Sequence, residues 1–277
     1  MPKNIILNSI KESFALIWKN KFLFVLLFAL QLVFFVTFFY INLTYQTKIL
    51  ESAKAITDYL SQQKLDEASV TSNIFQQKSI LGDDPLSISR NFNEILKNFR
   101  LYLIYVFILL IFFISVSWAV THRLMHKINL KQLLKNLFKI FVILLFYLGL
   151  IFSFLFYLFN ISFTQVASEG ARLLAKFTPF LLFSIILVYF MFVSLSLLHN
   201  TELKYIVQKT LSIGIKKIHY VLAAYFISLF LFVISIFLLY SFIEENLFVL
   251  SLSIILIVLS FVFGRIFTIK VIEKLDS

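Results

Sequence analysis

Residues 101–120 read LYLIYVFILLIFFISVSWAV, a run without a charged residue, a Gly or a Pro. An α-helix rises about 1.5 Å per residue, so about 20 such residues cross a hydrocarbon core about 30 Å thick. A lipid-facing strand of a β-barrel would alternate apolar and polar residues instead. This stretch therefore predicts a transmembrane helix, and it sets the fold class of the chain.

Five more stretches of the 277-residue chain have the same character. With 61% hydrophobic residues and a mean hydropathy of +0.95, the chain carries more apolar surface than a soluble domain of this length could bury. We therefore predict an all-α, polytopic membrane protein that forms a single domain over residues 1–277. The six predicted spans are residues 22–45, 101–120, 140–163, 177–198, 220–242 and 247–268.

The polar segment 46–100 separates the first two spans and is predicted to be an inserted external helical loop. Apolar residues recur at helical spacing near both of its ends, so we expect two helices that continue the neighbouring spans. These residues are Leu50, Ala53, Ile56 and Leu60 at one end, and Ile88, Phe92 and Ile95 at the other.

The charges predict the orientation of the chain. Of the 25 Lys and Arg residues and the 14 Asp and Glu residues, alternate segments place 16 basic and 4 acidic ones on one side of the membrane. The positive-inside rule makes that side cytoplasmic, and it contains both termini. We therefore predict a multi-pass protein of the plasma membrane. Membrane topology accounts for the net charge of +11, and we predict no nucleic-acid partner.

A basic, amphipathic stretch precedes the first, third and fifth spans. The three stretches are residues 10–19, 130–139 and 207–217, and their apolar and basic positions correspond loosely. One interpretation is a threefold repeat, in which each unit is an interfacial amphipathic helix followed by a helical hairpin. The other is that multi-pass proteins commonly have basic, amphipathic loops on their cytoplasmic side.

Five cations with strict i, i+4 spacing form the most specific local pattern, which we call the cation stripe. On one helix they would line one side, with apolar residues largely opposite. Three interpretations stay open: a topology signal with a solvated face, a contact site for anionic lipid, or a coupling helix that docks a cytoplasmic partner. The candidate lipid or partner contacts are Arg123, Lys127, Lys131, Lys135 and Lys139.

Chemistry-bearing residues are scarce in the predicted spans. The chain has no Cys, and the spans contain no Asp, Glu, Lys or His. Arg265 lies near the cytoplasmic end of the last span and is expected to snorkel to the interface, whereas Gln31 is expected to hydrogen-bond a neighbouring helix. Four histidines map near the cytoplasmic interface without a metal-binding motif. We predict a non-enzymatic protein with no catalytic residue, no cofactor and no metal site. The histidines are His122, His126, His199 and His219.

The opening sequence carries a family resemblance. Residues 9–14 read SIKESF and residues 17–22 read IWKNKF, and this basic-aromatic pattern returns loosely before later spans. It resembles a broad group of uncharacterised six-helix membrane proteins of archaea and bacteria. That group is similar to the membrane domain beside some glycerophosphodiester phosphodiesterases. The resemblance implies the helical architecture, and it brings no catalytic motif with it.

These features predict an integral membrane protein that engages lipid headgroups, anionic ones included, or a protein partner through its cytoplasmic basic helices. One alternative is the permease subunit of a multicomponent transporter, with segments 121–139 and 199–219 docking an ATPase supplied by another chain. Another is a small transporter of lipid or apolar substrates, whose path Ser and aromatic residues would line.

Overall fold

A computed structural model of the chain describes residues 5–67, 86–158, 163–198, 202–241 and 247–276, and it describes side chains except at 62–67, 158, 163–177 and 247. The described residues form eight helices and no strand. Six of these helices are long and apolar enough to cross a membrane. The helices are α1 (Ile5–Lys19), α2 (Lys21–Glu67), α3 (Leu86–His126), α4 (Leu130–Leu158), α5 (Phe163–Ser196), α6 (Leu203–Lys216), α7 (Ile218–Ser241) and α8 (Leu247–Asp276).

Each predicted span coincides with one long helix, so the six-span, all-α prediction is confirmed. Helices α2 and α3 contain 47 and 41 residues, about 70 Å and 60 Å of helix, and each is much longer than a bilayer requires. The helical spacing noted in segment 46–100 falls within these extensions. The structure does not describe residues 68–85 of that segment, nor residues 159–162 and 242 at the ends of predicted spans. Residues 197 and 198 complete the predicted span 177–198 and are described, but they follow the end of α5.

Three short turns separate consecutive helices. Asn20 ends α1, and its Nδ2 donates to the carbonyls of Leu16 at 3.3 Å and Leu124 at 3.2 Å. Lys217 separates α6 from α7, and its backbone N–H donates to Ile213 O at 3.0 Å. Between α3 and α4 the backbone of Lys127 has a φ of 50°, in the left-handed region that ends helices.

The chain divides into two compact units. Unit 1 comprises residues Met1–Phe35, Leu110–Leu150 and Leu182–Ser277. Its core cluster draws apolar side chains from α5, α6, α7 and α8. The pair α7 and α8 is extensively packed, and a Cβ at Gly264 would lie only 3.1 Å from Ser228 Cβ. Small residues thus allow close approach of these two backbones, as membrane helices commonly require.

Unit 2 comprises residues Val36–Leu109 and Ile151–Leu181. Aromatic pairs contribute to its packing, with ring centroids 5.0 Å apart for Phe107 and Phe152 and 4.6 Å apart for Phe154 and Phe180. Tyr45 and Tyr105 form a third pair, at 5.7 Å, between α2 and α3. Offset and tilted ring geometries of this kind favour specific helix contacts over uniform apolar packing.

A turn separates a short helix from the following span at two of the three stretches that are predicted to repeat. The short helix α1 is followed by a turn and then by α2, and α6 is followed by a turn and then by α7. The stretch 130–139 differs, because it forms the first turns of α4 without a break. The helix continues without a turn from Lys139 to the buried Ile140, where the predicted span begins. Asn20 and Lys217 form the turns at the two other junctions.

Candidate functional site

The last turns of α8 form the centre of one end of unit 1. Apolar residues on all sides of this segment are fully buried, as expected for a helix surrounded by protein. Helix α1 packs against α8, and its Phe14 ring lies 4.8 Å from the ring of Phe263. We call this region the charged end, and it consists of α1, residues 121–139, α6 and residues 266–276. The fully buried residues of α8 are Ile266, Phe267, Ile269, Val271 and Ile272.

Three polar side-chain contacts connect the end of α8 to three other helices. Glu273 Oε1 lies 2.7 Å from Nε2 of His126 on α3, and the other carboxylate oxygen lies 3.3 Å from Lys270 Nζ. Asp276 accepts from Lys209 Nζ of α6 at 2.8 Å and 2.9 Å. Lys274 Nζ donates to Glu12 of α1 at 2.7 Å.

These contacts use three of the four acidic residues that the sequence assigns to this side, namely Glu12, Glu273 and Asp276. The charged end as a whole contains 12 Lys and Arg residues and three acidic residues. The surface of the charged end is therefore strongly positive.

Neutral hydrogen bonds hold α6 against α5. Tyr189 Oη donates to the backbone carbonyl of Gly214 at 2.7 Å. Ser194 Oγ and Thr210 Oγ1 lie 3.1 Å apart, and Tyr147 Oη of α4 lies 3.2 Å from the same Ser194 Oγ. His122 of α3 also reaches α5, with Nε2 2.9 Å from Leu195 O. The contacts at Gly214 and Thr210 hold α6 against α5, while Tyr147 and His122 connect α5 to α4 and α3.

Helix α1 has three distinct sides. The side that faces protein carries the fully buried Ser9 and Ser13. A second side exposes large apolar residues: Leu7 and Phe14 are 60% exposed, and Trp18 is 75% exposed. Polar residues, including Lys11, occupy the exposed surface next to it. This arrangement suits a helix at the boundary between lipid and water.

Helix α6 repeats this design. Ile206, Thr210, Ile213 and Gly214 are buried against the protein. Exposed apolar residues at i, i+4 spacing form a second side, and exposed polar residues such as Gln208 and Lys216 lie beside them. The exposed apolar residues are Val207, Leu211 and Ile215.

The start of α4 combines the same two exposed surfaces. Lys131 and Lys135 are exposed, and an exposed apolar row runs beside them. This row continues without interruption into the part of α4 predicted to lie in the membrane. It consists of Leu130, Leu134, Phe138, Phe141 and Leu145.

The cation stripe does not lie on one helix, so that part of the prediction is wrong. Helix α3 ends at His126, after Arg123, and Lys127 lies in the turn. Asn129 caps α4, since its Oδ1 accepts from the N–H of Gln132 at 3.0 Å. Only Lys131, Lys135 and Lys139 share α4. Arg123, Lys127, Lys131 and Lys135 are exposed and Lys139 is half-buried, so four of the five cations remain on the surface of the charged end.

Arg265 and Gln31 meet each other within unit 1. Arg265 Nη2 donates to Gln31 Oε1 at 3.0 Å, so the interhelical hydrogen bond expected of Gln31 is present. Arg265 Nη1 is buried and has no hydrogen-bond partner among the described residues. The expectation that Arg265 snorkels is therefore wrong, because its guanidinium turns toward α2.

Sequence reasoning missed the ionic contacts of the charged end. The signal available was the position of Glu273 and Asp276 among the cations that follow the last span. It did not identify their partners, which lie on other helices. His199 lies outside the described residues.

Comparisons of the chain with protein-family models, with curated proteins and with solved structures found no match. The resemblance to the six-helix membrane group stays a prediction.

Proposed function

We propose that this integral membrane protein resides in the plasma membrane with both termini in the cytoplasm, and that its charged end holds acidic lipid headgroups. One observation carries the proposal: α1, the start of α4 and α6 all expose an apolar side directly beside lysines or other polar residues. Apolar residues at such a boundary insert among acyl chains, while each nearby Lys attracts anionic lipid by about 1 kcal/mol.

The continuous apolar row on α4 favours lipid over a soluble partner. It joins the exposed surface near Lys131 and Lys135 to the exposed surface of the predicted span. A side chain such as Phe138 would then contact the same bilayer as Leu145 does, two helical turns deeper. A docked ATPase would have to cover the upper part of that row while lipid covers the rest.

We expect the triple substitution K127Q/K131Q/K135Q to reduce the preference for acidic lipid. The protein would be reconstituted in vesicles of equal parts phosphatidylglycerol and phosphatidylcholine and then extracted in mild detergent. Mass spectrometry would give the ratio of the two lipids retained. One lysine near an anionic surface contributes about 1 kcal/mol, which is about fivefold in a binding constant. We therefore expect the loss of three lysines to lower the ratio by at least about fivefold.

The matched control is K48Q/K54Q/K97Q, which removes the same charge from exposed positions on α2 and α3. We expect it to retain the wild-type lipid ratio. An unchanged ratio in K127Q/K131Q/K135Q, or an equal fall in both triple variants, would refute the lipid proposal. Co-purification of a stoichiometric soluble subunit with an unchanged lipid ratio would favour the permease alternative.

The absence of Cys allows a direct test of orientation. Asn8 of α1 and Lys54 of α2 are both exposed, so N8C and K54C each introduce one accessible thiol. In intact cells, a membrane-impermeant maleimide should label K54C and leave N8C unlabelled, because the proposed topology places residue 8 inside. Permeabilised cells should show labelling of both variants. The reverse pattern in intact cells would invert the proposed topology.

A further inference from the structure

We propose that Arg265 and Gln31 form a binding site for one oxyanion, the phosphate or carboxylate headgroup of a membrane amphiphile. Both residues belong to unit 1, and Arg265 Nη2 donates to Gln31 Oε1 at 3.0 Å. The site is separate from the exposed lysines of the charged end, and it does not depend on lipid binding there.

Gln31 lies nine residues inside the predicted span 22–45, whereas Arg265 lies three residues from the end of the predicted span 247–268. Gln31 follows Lys21, the first residue of α2, by ten residues, which is about 15 Å of helix. Arg265 precedes Asp276, the last residue of α8, by eleven residues, about 16 Å. A headgroup held here would sit deeper than one held by the lysines at the surface.

Within the described part of the chain, no acidic side chain pairs with the positive charge of Arg265. The six predicted spans contain no Asp or Glu. At the charged end, Glu273 is engaged by His126 and Lys270, and Asp276 is engaged by Lys209. Gln31 accepts a hydrogen bond but supplies no charge. Since a buried charge without a counter-ion is costly in a medium of low dielectric constant, an anionic ligand would stabilise this arrangement.

The guanidinium also has unused donors. It carries five N–H groups in a planar fork, and Nη1 is buried without a hydrogen-bond partner in the described part of the chain. A buried donor left without an acceptor is unfavourable. Carboxylate and phosphate oxygens match the fork in geometry and charge, because they can accept two parallel N–H bonds.

The surroundings of the pair favour an amphiphile over a freely soluble ion. One helical turn farther from the charged end, Phe35 follows Gln31 on α2 and Phe261 precedes Arg265 on α8. The centroids of these two rings lie 5.4 Å apart, so an aromatic pair lies beside the site. The Arg265 side chain as a whole is only partly buried, which leaves part of it accessible. An acyl chain could lie along the apolar surface while its headgroup reaches the guanidinium.

The test is a titration of delipidated full-length protein in neutral detergent, followed by native mass spectrometry. Phosphatidylglycerol, oleate and inorganic phosphate would be added separately, with phosphatidylcholine as a zwitterionic comparison. We expect one tightly bound equivalent of an oxyanion ligand and no tight equivalent of phosphatidylcholine. The probe that binds identifies the source of the oxyanion: a phospholipid, a fatty acid or free phosphate.

Substituting Gln31 by Glu should abolish this binding without unfolding the protein. The new carboxylate would itself be the counter-ion of Arg265. We therefore expect the dissociation constant of the oxyanion probe that binds the wild type to rise at least tenfold, and the Tm to stay at or above the wild-type value. Q46E is the matched control, because Gln46 is an exposed residue on the same helix. It should bind like the wild type.

R265Q provides a second variant and should also lose the tight equivalent. Absence of a tight equivalent from the wild type with all three anionic probes would overturn the proposal, as would tight binding that persists in folded Q31E or R265Q. The lipid ratio measured with K127Q/K131Q/K135Q is a separate observable. Failure of the Arg265 site and failure of the proposed function can therefore be distinguished.

Discussion

Substitution of Gly264 by Leu is expected to destabilise the protein by about 3 kcal/mol, because it overpacks the contact between α7 and α8. A Cβ at this position would lie 3.1 Å from Ser228 Cβ, 3.2 Å from its Oγ and 3.8 Å from its Cα. Ser228 Cβ is bonded directly to the backbone and cannot move aside as the tip of a flexible side chain can, so the bulkier Leu would push the two helices apart. The measurement is the midpoint of unfolding in detergent, by titration with dodecyl sulfate or by heating.

The matched control is Gly149→Leu. A Cβ at Gly149 meets no atom within 4 Å, so added side-chain volume has space there. We expect the free energy of unfolding to change by less than about 0.5 kcal/mol, as for substitutions that disturb no packing. Equal losses of stability in G149L and G264L would show that the loss of a glycine, rather than the contact with Ser228, determines the effect.

Substitution of Glu273 by Gln is expected to lower the free energy of unfolding by about 2 kcal/mol, since it removes one partner of a largely buried ionic cluster. Only 17% of the Glu273 side chain is exposed, and its carboxylate contacts both His126 and Lys270. The neutral amide would leave the Lys270 ammonium without its compensating charge. Chemical denaturation in detergent at neutral pH would measure the loss.

Two further variants separate this cluster from a general effect of charge. E202Q removes an exposed carboxylate on the same side of the protein and should alter stability little. In the double variant H126Q/E273Q the two losses should be less than additive, because His126 and Glu273 lie in direct contact. Strict additivity would contradict a stabilising contact between α3 and α8.

The spans could be predicted because each depends on a local property. The run 101–120 is apolar over its whole length, and no distant residue is needed to satisfy its backbone hydrogen bonds in lipid. The extension of α2 through Leu50 and Leu60 was visible in the same way, from helical spacing.

The cation stripe shows where such local reasoning fails. Spacing at i, i+4 from Arg123 to Lys139 fits one helix, but it cannot reveal a turn within the series. Asn129 was the available indication, since Asn is a preferred residue at the start of a helix. Its capping bond to Gln132 marks the start of α4.

The contacts of the charged end could not be predicted, because their partners are distant in the sequence. His126 and Glu273 are separated by 147 residues, and Gln31 and Arg265 by 234. Hydrophobic periodicity indicates which face of a helix is buried, but not which helix covers it. With many Phe and Leu residues offering nearly equivalent faces, several helix arrangements would satisfy the same pattern.

The contact between α1 and α8 constrains the timing of biosynthesis. Glu12 and Lys274 lie 262 residues apart, and at about 5–20 residues per second a ribosome needs roughly 13–50 s to translate that interval. Helix α1 must wait on the nascent chain throughout this time, with its serine-bearing side uncovered. The charged end thus assembles late, after most of the spans have been synthesised, and until then α1 is accessible to insertion factors and proteases.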